Sequence, residues 1–395
     1  MKITRRSALK VLAGTTVILG ARAIQRSIQS PLRVFGDNTD YPYHYHFPFI
    51  CNPLPTMQGK VVHIHCSRAT TWSGQTDYWD YVDQSIVNEM IDLGVMKLTG
   101  ASTVPDAWRA ILPSYQAGEK IAIKVNFNNN RQCSPSSNVI DALIQPVNAI
   151  VRGLEMIGVN LSDVLVYDAI RAMPERFIQN GLPGISFFGS SSASCNTSAG
   201  FTSQSGHYVE FHAPAGVHVS REIVSDVLFN AKYLINMPIM KGGHPIAGVT
   251  LGFKNHFGSV NDPSGIHNLV DVVNKPAAYR TDYNPLVDLM ASPILGGKTV
   301  LTIGDALFAA KVFNDTPKTW STFGNQLPNS LFLSIDPVAI DCIMHDHIVA
   351  ELGSKVASGS NNYLYLAANA GLGQFESRNP WTESYSQINY QKFGI

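Results

Sequence analysis

Short apolar runs alternate with longer helix-like segments from residue 61 to residue 352, and no other feature restricts the fold as much. Val61 to Cys66, Lys120 to Val125, Val164 to Tyr167, Lys232 to Asn236, Thr299 to Ile303 and Leu331 to Ile335 have the length and aliphatic content of strands. Helix patterns fall between them, over Gln84 to Met96, Pro105 to Gln116, Val139 to Ile157, Leu286 to Leu295 and Pro337 to Leu352. Asp336 before Pro337 is an N-cap followed by a first-turn proline, which marks where the last helix starts. Strands that alternate with helices in this way specify an α/β fold, with a mixed, mostly parallel sheet flanked by helices. Residues 186–206, with a Ser-Ser-Ser run and scattered Gly, read as a surface loop. Residues 24–58, rich in Pro, Tyr, His and Asn, read as an irregular N-terminal arm, which leaves 59–395 as the α/β domain.

Almost every central strand runs into a polar or charged residue. Lys124 and Asn126 follow Ile121-Ala122-Ile123, and Asp168 follows Val164 to Tyr167. Asn236 and then Lys241 follow Tyr233-Leu234-Ile235. Asp305 follows Val300 to Gly304, and Asp336 follows Leu331 to Ile335. In a parallel sheet these ends share one edge, and ligands of open α/β sheets bind in the crevice outside it. The expectation is one cleft lined by Lys124, Asp168, Lys241, Asp305 and Asp336. Helix capping alone accounts for Asp336 but leaves the lysines of the same edge unexplained.

The first 23 residues stand apart. Thr4-Arg5-Arg6-Ser7-Ala8-Leu9-Lys10 leads into the apolar run Val11 to Gly20, and Ala21-Arg22-Ala23 supplies the small residues of a cleavage site. This is the layout of a secretory leader with the arginine pair of the route that exports folded proteins. The run is shorter than the roughly 20 residues of a membrane span, and no span is expected in the mature chain. The expected partner is the twin-arginine translocase, and the expected location periplasmic or otherwise extracytoplasmic. Five of the 29 basic residues and none of the 29 acidic ones lie in the leader, so the remainder carries a net charge of −5. That excludes the basic footprint by which proteins hold a phosphate backbone, and no nucleic-acid partner is expected. Cys51, Cys66, Cys133, Cys195 and Cys342 include no C-x-x-C, so no intrinsic iron–sulfur cluster motif is present. In an oxidising compartment the open pairings are Cys51–Cys66 and Cys133–Cys195. Cys342 falls in an apolar helix pattern and reads as a buried thiol.

The stretch from Leu234 to Gly258 is the richest in chemistry. A strand runs into Lys241-Gly242-Gly243-His244, and a helix of small residues then carries Lys254, Asn255 and His256. Gly242 and Gly243 read as a turn whose backbone N–H groups approach a ligand. Lys241, taken as an exposed charge, and Lys254 supply cations suited to a carboxylate or phosphate. His244 can move a proton near neutral pH or ligate a metal. The order Asn236-x-Pro238-x-x-Lys241…His244, then Lys254-Asn255-x-x-Gly258, resembles the bacterial and archaeal domain of unknown function 362 family. The likeness continues in Lys124-Val125-Asn126, Ile303-Gly304-Asp305 and Ser334 to Asp341, and covers about residues 120–345. Many members of that family carry fused ferredoxin-type cysteine motifs, which this chain lacks. A remoter likeness, with different spacing, is to the nickel-pincer lactate racemase family, in which a lysine holds the cofactor and histidines shuttle the proton. That likeness puts Lys241 and His244 in those roles.

Other histidines carry less. His63 and His65 share a strand face, which reads as a half-buried polar face, and His44 and His46 lie in the arm. His345 and His347, two apart on a helix, point apart. There is no G-x-S-x-G, Walker loop or G-x-G-x-x-G. The reading that follows is an exported enzyme acting on a small anionic ligand with a metal or a cofactor inserted before export, an oxidoreductase or isomerase. In it His244, Lys241, Asp168 and Asp305 are catalytic, and Lys124, Asn126, Lys254, Asn255, Gly242 and Gly243 hold the cofactor. Asp336 and His244 are its metal ligands. The alternatives are an extracytoplasmic ligand-binding protein without catalysis and a structural component of an envelope complex.

Overall fold

The computed structural model describes residues 57–134, 137–272 and 280–395. The expected leader and the expected arm up to residue 56, with His44, His46 and Cys51, lie outside the described residues. In chain order the strands are β1 (Lys60–His65), β2 (Ile121–Lys124), β3 (Val164–Tyr167), β4 (Ser186–Gly189) and β5 (Thr197–Ser198). Then come β6 (Tyr208–Val209), β7 (Glu222–Ile223), β8 (Tyr233–Asn236), β9 (Ile239–His244) and β10 (Gly248–Thr250). β11 (Thr299–Ala310), β12 (Ser330–Ser334) and β13 (Asn389–Gly394) complete the set. Eleven of these form one sheet along the path β13-β1-β12-β11-β8-β2-β3-β4-β5, with β9 joined to β11 and β10 to β9. β6 and β7 form a separate small ladder. In the large sheet β12 is antiparallel to both β1 and β11, and β10 to β9; the other pairings are parallel. The sheet is therefore mixed and mostly parallel, flanked by helices.

The strands form where both faces are covered. Ile121, Ile123, Val164, Val166, Leu234, Ile235, Leu301, Ile303, Leu331 and Leu333 are all fully buried. The helix Gln84–Thr99 starts where the Asp83 carboxylate accepts the N–H groups of Ser85 and Ile86, and stops at Gly100, which takes a left-handed φ of 79°. The helix Pro337–Leu352 has the bounds its sequence specifies, because Asp336 accepts the N–H groups of Val338 and Ala339 ahead of the first-turn proline. The helix expected over Val139 to Ile157 narrows to Ile144–Glu155. Residues 140–142 spend their N–H groups elsewhere, on the Asp315 carbonyl, the Tyr78 hydroxyl and the Asn126 carbonyl.

Three expectations are corrected here. The Ser-rich segment 186–206 is not all loop, since it supplies β4 and β5 at the sheet edge. Asp305 is not at a strand end: β11 runs on to Ala310, first beside β8 and then beside β9, and buries Asp305 in its middle. Asp336 does not join the other strand ends, because β12 runs antiparallel to β11 and delivers its C-terminus in the opposite direction.

Cys133 and Cys195 form a disulfide, one of the two open pairings. Cys342 is buried as expected. His63 and His65 do share a face, both reaching Ser330 Oγ. His345 and His347 point apart, to Ser360 and to Tyr390. Among the described residues no helix is long and apolar enough to cross a membrane.

Candidate functional site

Five segments converge at the C-terminal ends of β2, β3 and β8. Lys124 is the last residue of β2 and Asn126 lies just beyond it. Asp168 follows β3 and Asn236 ends β8. Lys241 and His244 lie in β9. Lys254 and Asn255 end the short helix Gly252–Asn255, whose first N–H groups, of Gly252 and Phe253, are held by the two oxygens of the buried Asp341 carboxylate at 2.8 and 3.1 Å. Tyr363 donates its hydroxyl to the same carboxylate, so one fixed anchor aims Lys254 and Asn255 at the strand ends.

Asn255 is the hub of the cluster. Its Oδ1 accepts from Asn126 Nδ2 at 3.0 Å and Lys124 Nζ at 3.3 Å. Its Nδ2 donates to Asn236 Oδ1 at 2.8 Å, and Asn236 donates onward to the Gly252 carbonyl. Lys241 Nζ donates to Asn126 Oδ1 at 2.7 Å. Lys124 Nζ also reaches the Val125 carbonyl at 2.5 Å and the Asp168 carboxylate at 3.4 Å. Gly258 makes that ion pair possible: a Cβ there would stand 2.4 Å from Asp168 Oδ1 and 2.7 Å from Lys124 Nζ.

His244 and Lys254 form the second part of the site. His244 Nδ1 accepts the N–H groups of Ile246 and Ala247 at 3.1 and 3.2 Å, and Nε2 lies 3.2 Å from Lys254 Nζ. A neutral imidazole has one donor and one acceptor nitrogen. With Nδ1 committed as acceptor, the proton sits on Nε2 and points at the lysine. Only an unprotonated amine can accept it. Burial first, then the basic neighbours, pull the His244 imidazole down to about 2, so the ring is neutral. Burial first, then the charges of Lys241 and Arg171, pull Lys254 down to about 7. Burial likewise lowers Lys124, against the pull of Asp168. It lowers Lys241 to about 8, against Asp141 and Asp168, and raises the buried Asp141 carboxyl to about 7.

Beside this network lies a cavity of about 40 Å³, room for a few waters or a small anion, with Arg171, Lys254, Asp168, Thr250, Asn128 and His267 in its walls. Asp168 Oδ1 and the Thr250 hydroxyl are buried there without a hydrogen-bond partner. Buried polar atoms are almost always paired, so two orphans in one cavity point to a missing polar occupant. Arg171 is anchored through its Nε to the Asn128 carbonyl. His267 donates Nδ1–H to the Pro263 carbonyl, which leaves Nε2 a bare acceptor in the neutral ring.

The lysines and asparagines named from the sequence come together in the structure, while several other expectations differ from it. Lys241 is fully buried rather than exposed. Gly242 and Gly243 are not a ligand-binding turn. They lie in β9, where a Cβ on Gly242 would meet Leu352 at 2.6 Å and one on Gly243 the Lys311 carbonyl at 2.5 Å. Their lack of side chains admits protein neighbours. The expected helix of small residues is instead the β9–β10 hairpin and two short helical turns. Asp305 accepts the Leu307 N–H in its own strand, and Asp336 stays with its helix and the Gln374 N–H. Asp336 and His244 have no hydrogen-bond partner in common, and both nitrogens of His244 are engaged. Among the described residues no group of three or more His, Cys, Asp or Glu side chains could hold a metal ion, so the residues present do not fit one bound by side chains alone. Sequence reasoning missed Arg171, Thr250, His267, Asp141 and Asp341. The strand-edge rule that picked Asp168 applies equally to Arg171, three residues later in the same loop.

Set against known proteins, residues 121–346 match the family model described as Domain of unknown function (DUF362). The matched span is more than half of the chain and contains every residue of the cluster. No curated protein matches the chain.

Proposed function

The chain belongs to the DUF362 family, and on that premise we propose that it is an extracytoplasmic enzyme acting on a small anionic substrate in the cavity beside Lys254. The observation that carries this reading is the pair of buried, unpaired polar atoms in that cavity, beside an arginine. Arg171 lines the cavity together with the Lys254 amine and the Asp168 carboxylate, and Asp168 Oδ1 and Thr250 Oγ1 stand unpaired in it, with Lys124 and Lys241 behind the wall in the hydrogen-bonded cluster. An anion that also carries a hydroxyl or another donor satisfies both conditions at once. Arg171 suits a carboxylate or phosphate, whereas the neutral Lys254 amine, once it leaves the His244 hydrogen bond, can act as the reacting base or nucleophile. Location outside the cytoplasm is supported by the Arg5-Arg6 leader and by the Cys133–Cys195 disulfide, which suits an oxidising compartment.

Calorimetric titration of the purified protein with inorganic phosphate, glycolate, glyoxylate and pyruvate tests the reading. At least one anion should bind, and Arg171→Gln should weaken it about 10-fold or more, the worth of one charge-assisted hydrogen bond. No binding by any of them, or binding indifferent to Arg171, overturns the pocket. Binding without turnover of any bound anion favours the ligand-binding alternative.

A further inference from the structure

We propose that Lys254 is a covalent nucleophile that forms an imine with a small 2-oxo acid. The inference rests on the anion pocket above and deepens it. The His244 ring fixes the state of the lysine: two backbone N–H groups occupy Nδ1, so Nε2–H donates to Nζ, and Nζ must offer a lone pair. Among the described residues no carboxylate lies within ion-pair reach of Nζ, in contrast to Lys124 with Asp168. A lysine serving only to balance charge would be expected beside a carboxylate.

The cavity around that amine is matched to a carbonyl flanked by a carboxylate. Arg171, carrying a permanent charge, is the group for the carboxylate. A cavity of about 40 Å³ suits a small substrate. Asp168 Oδ1, a buried acceptor without a donor, and the unpaired Thr250 hydroxyl suit the hydroxyl of the carbinolamine and the water that leaves it. In the step itself Nζ gives up the hydrogen bond from His244 Nε2–H, and the lone pair so freed bonds to the carbonyl carbon. The carbonyl π pair moves to oxygen, which takes up a proton as Nζ gives one up. The hydroxyl then leaves with the remaining Nζ proton as water, and the pair of that N–H bond forms the C=N bond. Nothing is oxidised or reduced, and hydrolysis reverses the step.

The test is reductive trapping on the full protein at pH 7 with cyanoborohydride, read by peptide mass spectrometry. One arm uses pyruvate or glyoxylate and the other acetaldehyde, a neutral carbonyl of similar size. Lys254 should carry the adduct far ahead of the surface lysines in both arms. Arg171→Gln should reduce the 2-oxo acid adduct about 10-fold or more and leave the acetaldehyde adduct unchanged. Absence of a Lys254 adduct in both arms overturns the nucleophile, and calorimetric binding of an anion in the same protein would then leave the pocket standing. A Lys254 adduct that forms equally well with either carbonyl and ignores Arg171 overturns both the 2-oxo acid assignment and the pocket, while keeping the reactive amine.

Discussion

Replacing Lys254 by methionine should stabilise the protein at pH 7 and destabilise it at pH 10. Burial holds the amine at about 7, against 10.5 for a free lysine. Between those values the unfolded chain binds the proton and the folded chain does not, so folding stability rises with pH across that window. At 1.36 kcal/mol per pKa unit, burying this lysine costs about 4 kcal/mol at pH 7 and about 1 kcal/mol at pH 10. Methionine has nearly the same reach and no charge, and so removes the cost at either pH. It also strands the His244 Nε2–H, a loss of about 1–3 kcal/mol that does not depend on pH. The net change is then a gain of roughly 1–3 kcal/mol at pH 7 and a loss of up to about 2 kcal/mol at pH 10. The neighbouring titratable groups Lys241, His267 and His244 are common to both proteins. Urea denaturation of wild type and variant at pH 7, 8.5 and 10 and constant ionic strength reads the difference. A variant that is less stable by the same amount throughout would refute the neutral amine, because it would mean that the native lysine is a paired ammonium.

Gly258→Ala forces Asp168 and Lys124 apart, and should lower stability by about 1–3 kcal/mol, the range for disturbing a buried polar pair, with loss of anion binding; equilibrium denaturation and calorimetry report the two effects. The double variant Cys133→Ser, Cys195→Ser opens a loop of 62 residues and should cost about 2–4 kcal/mol, with wild-type protein from its native host unreactive at both positions to thiol label unless reduced. Changing Arg5 and Arg6 together to lysine should leave precursor in the cytoplasm, seen by fractionation; normal export of the double variant would remove the twin-arginine assignment.

Sequence reasoning reached the architecture because the signals for it are local. Asp336-Pro337 placed the start of one helix to the residue, and four-residue apolar runs such as Val164–Tyr167 placed strands. It failed where the answer depends on distant partners. Strand direction is not written in a strand, so Asp336, on the one strand of the five that runs antiparallel, was grouped with residues it never meets. Gly242 and Gly243 resemble a turn, yet the reason for them is Lys311 and Leu352, about 70 and 110 positions away. The convergence of Lys124, Asn126, Asn236, Lys241, Lys254 and Asn255 was legible from the strand-edge rule and the spacing. That these lysines are buried, and that one of them faces an imidazole donor, follows only from packing.

The pairing of β1 with β13 sets a timetable for synthesis. Lys60 lies opposite Asn389 and His65 opposite Gly394, so each residue of β1 waits for a partner made 329 positions later. At ribosomal speeds of about 5–20 residues per second that interval is roughly 15–65 s. During it β1 can pair with β12 only once that strand too has emerged, and its other side stays an open edge, a template for neighbouring nascent chains. That edge of the sheet is thus sealed last, only after β13 has emerged.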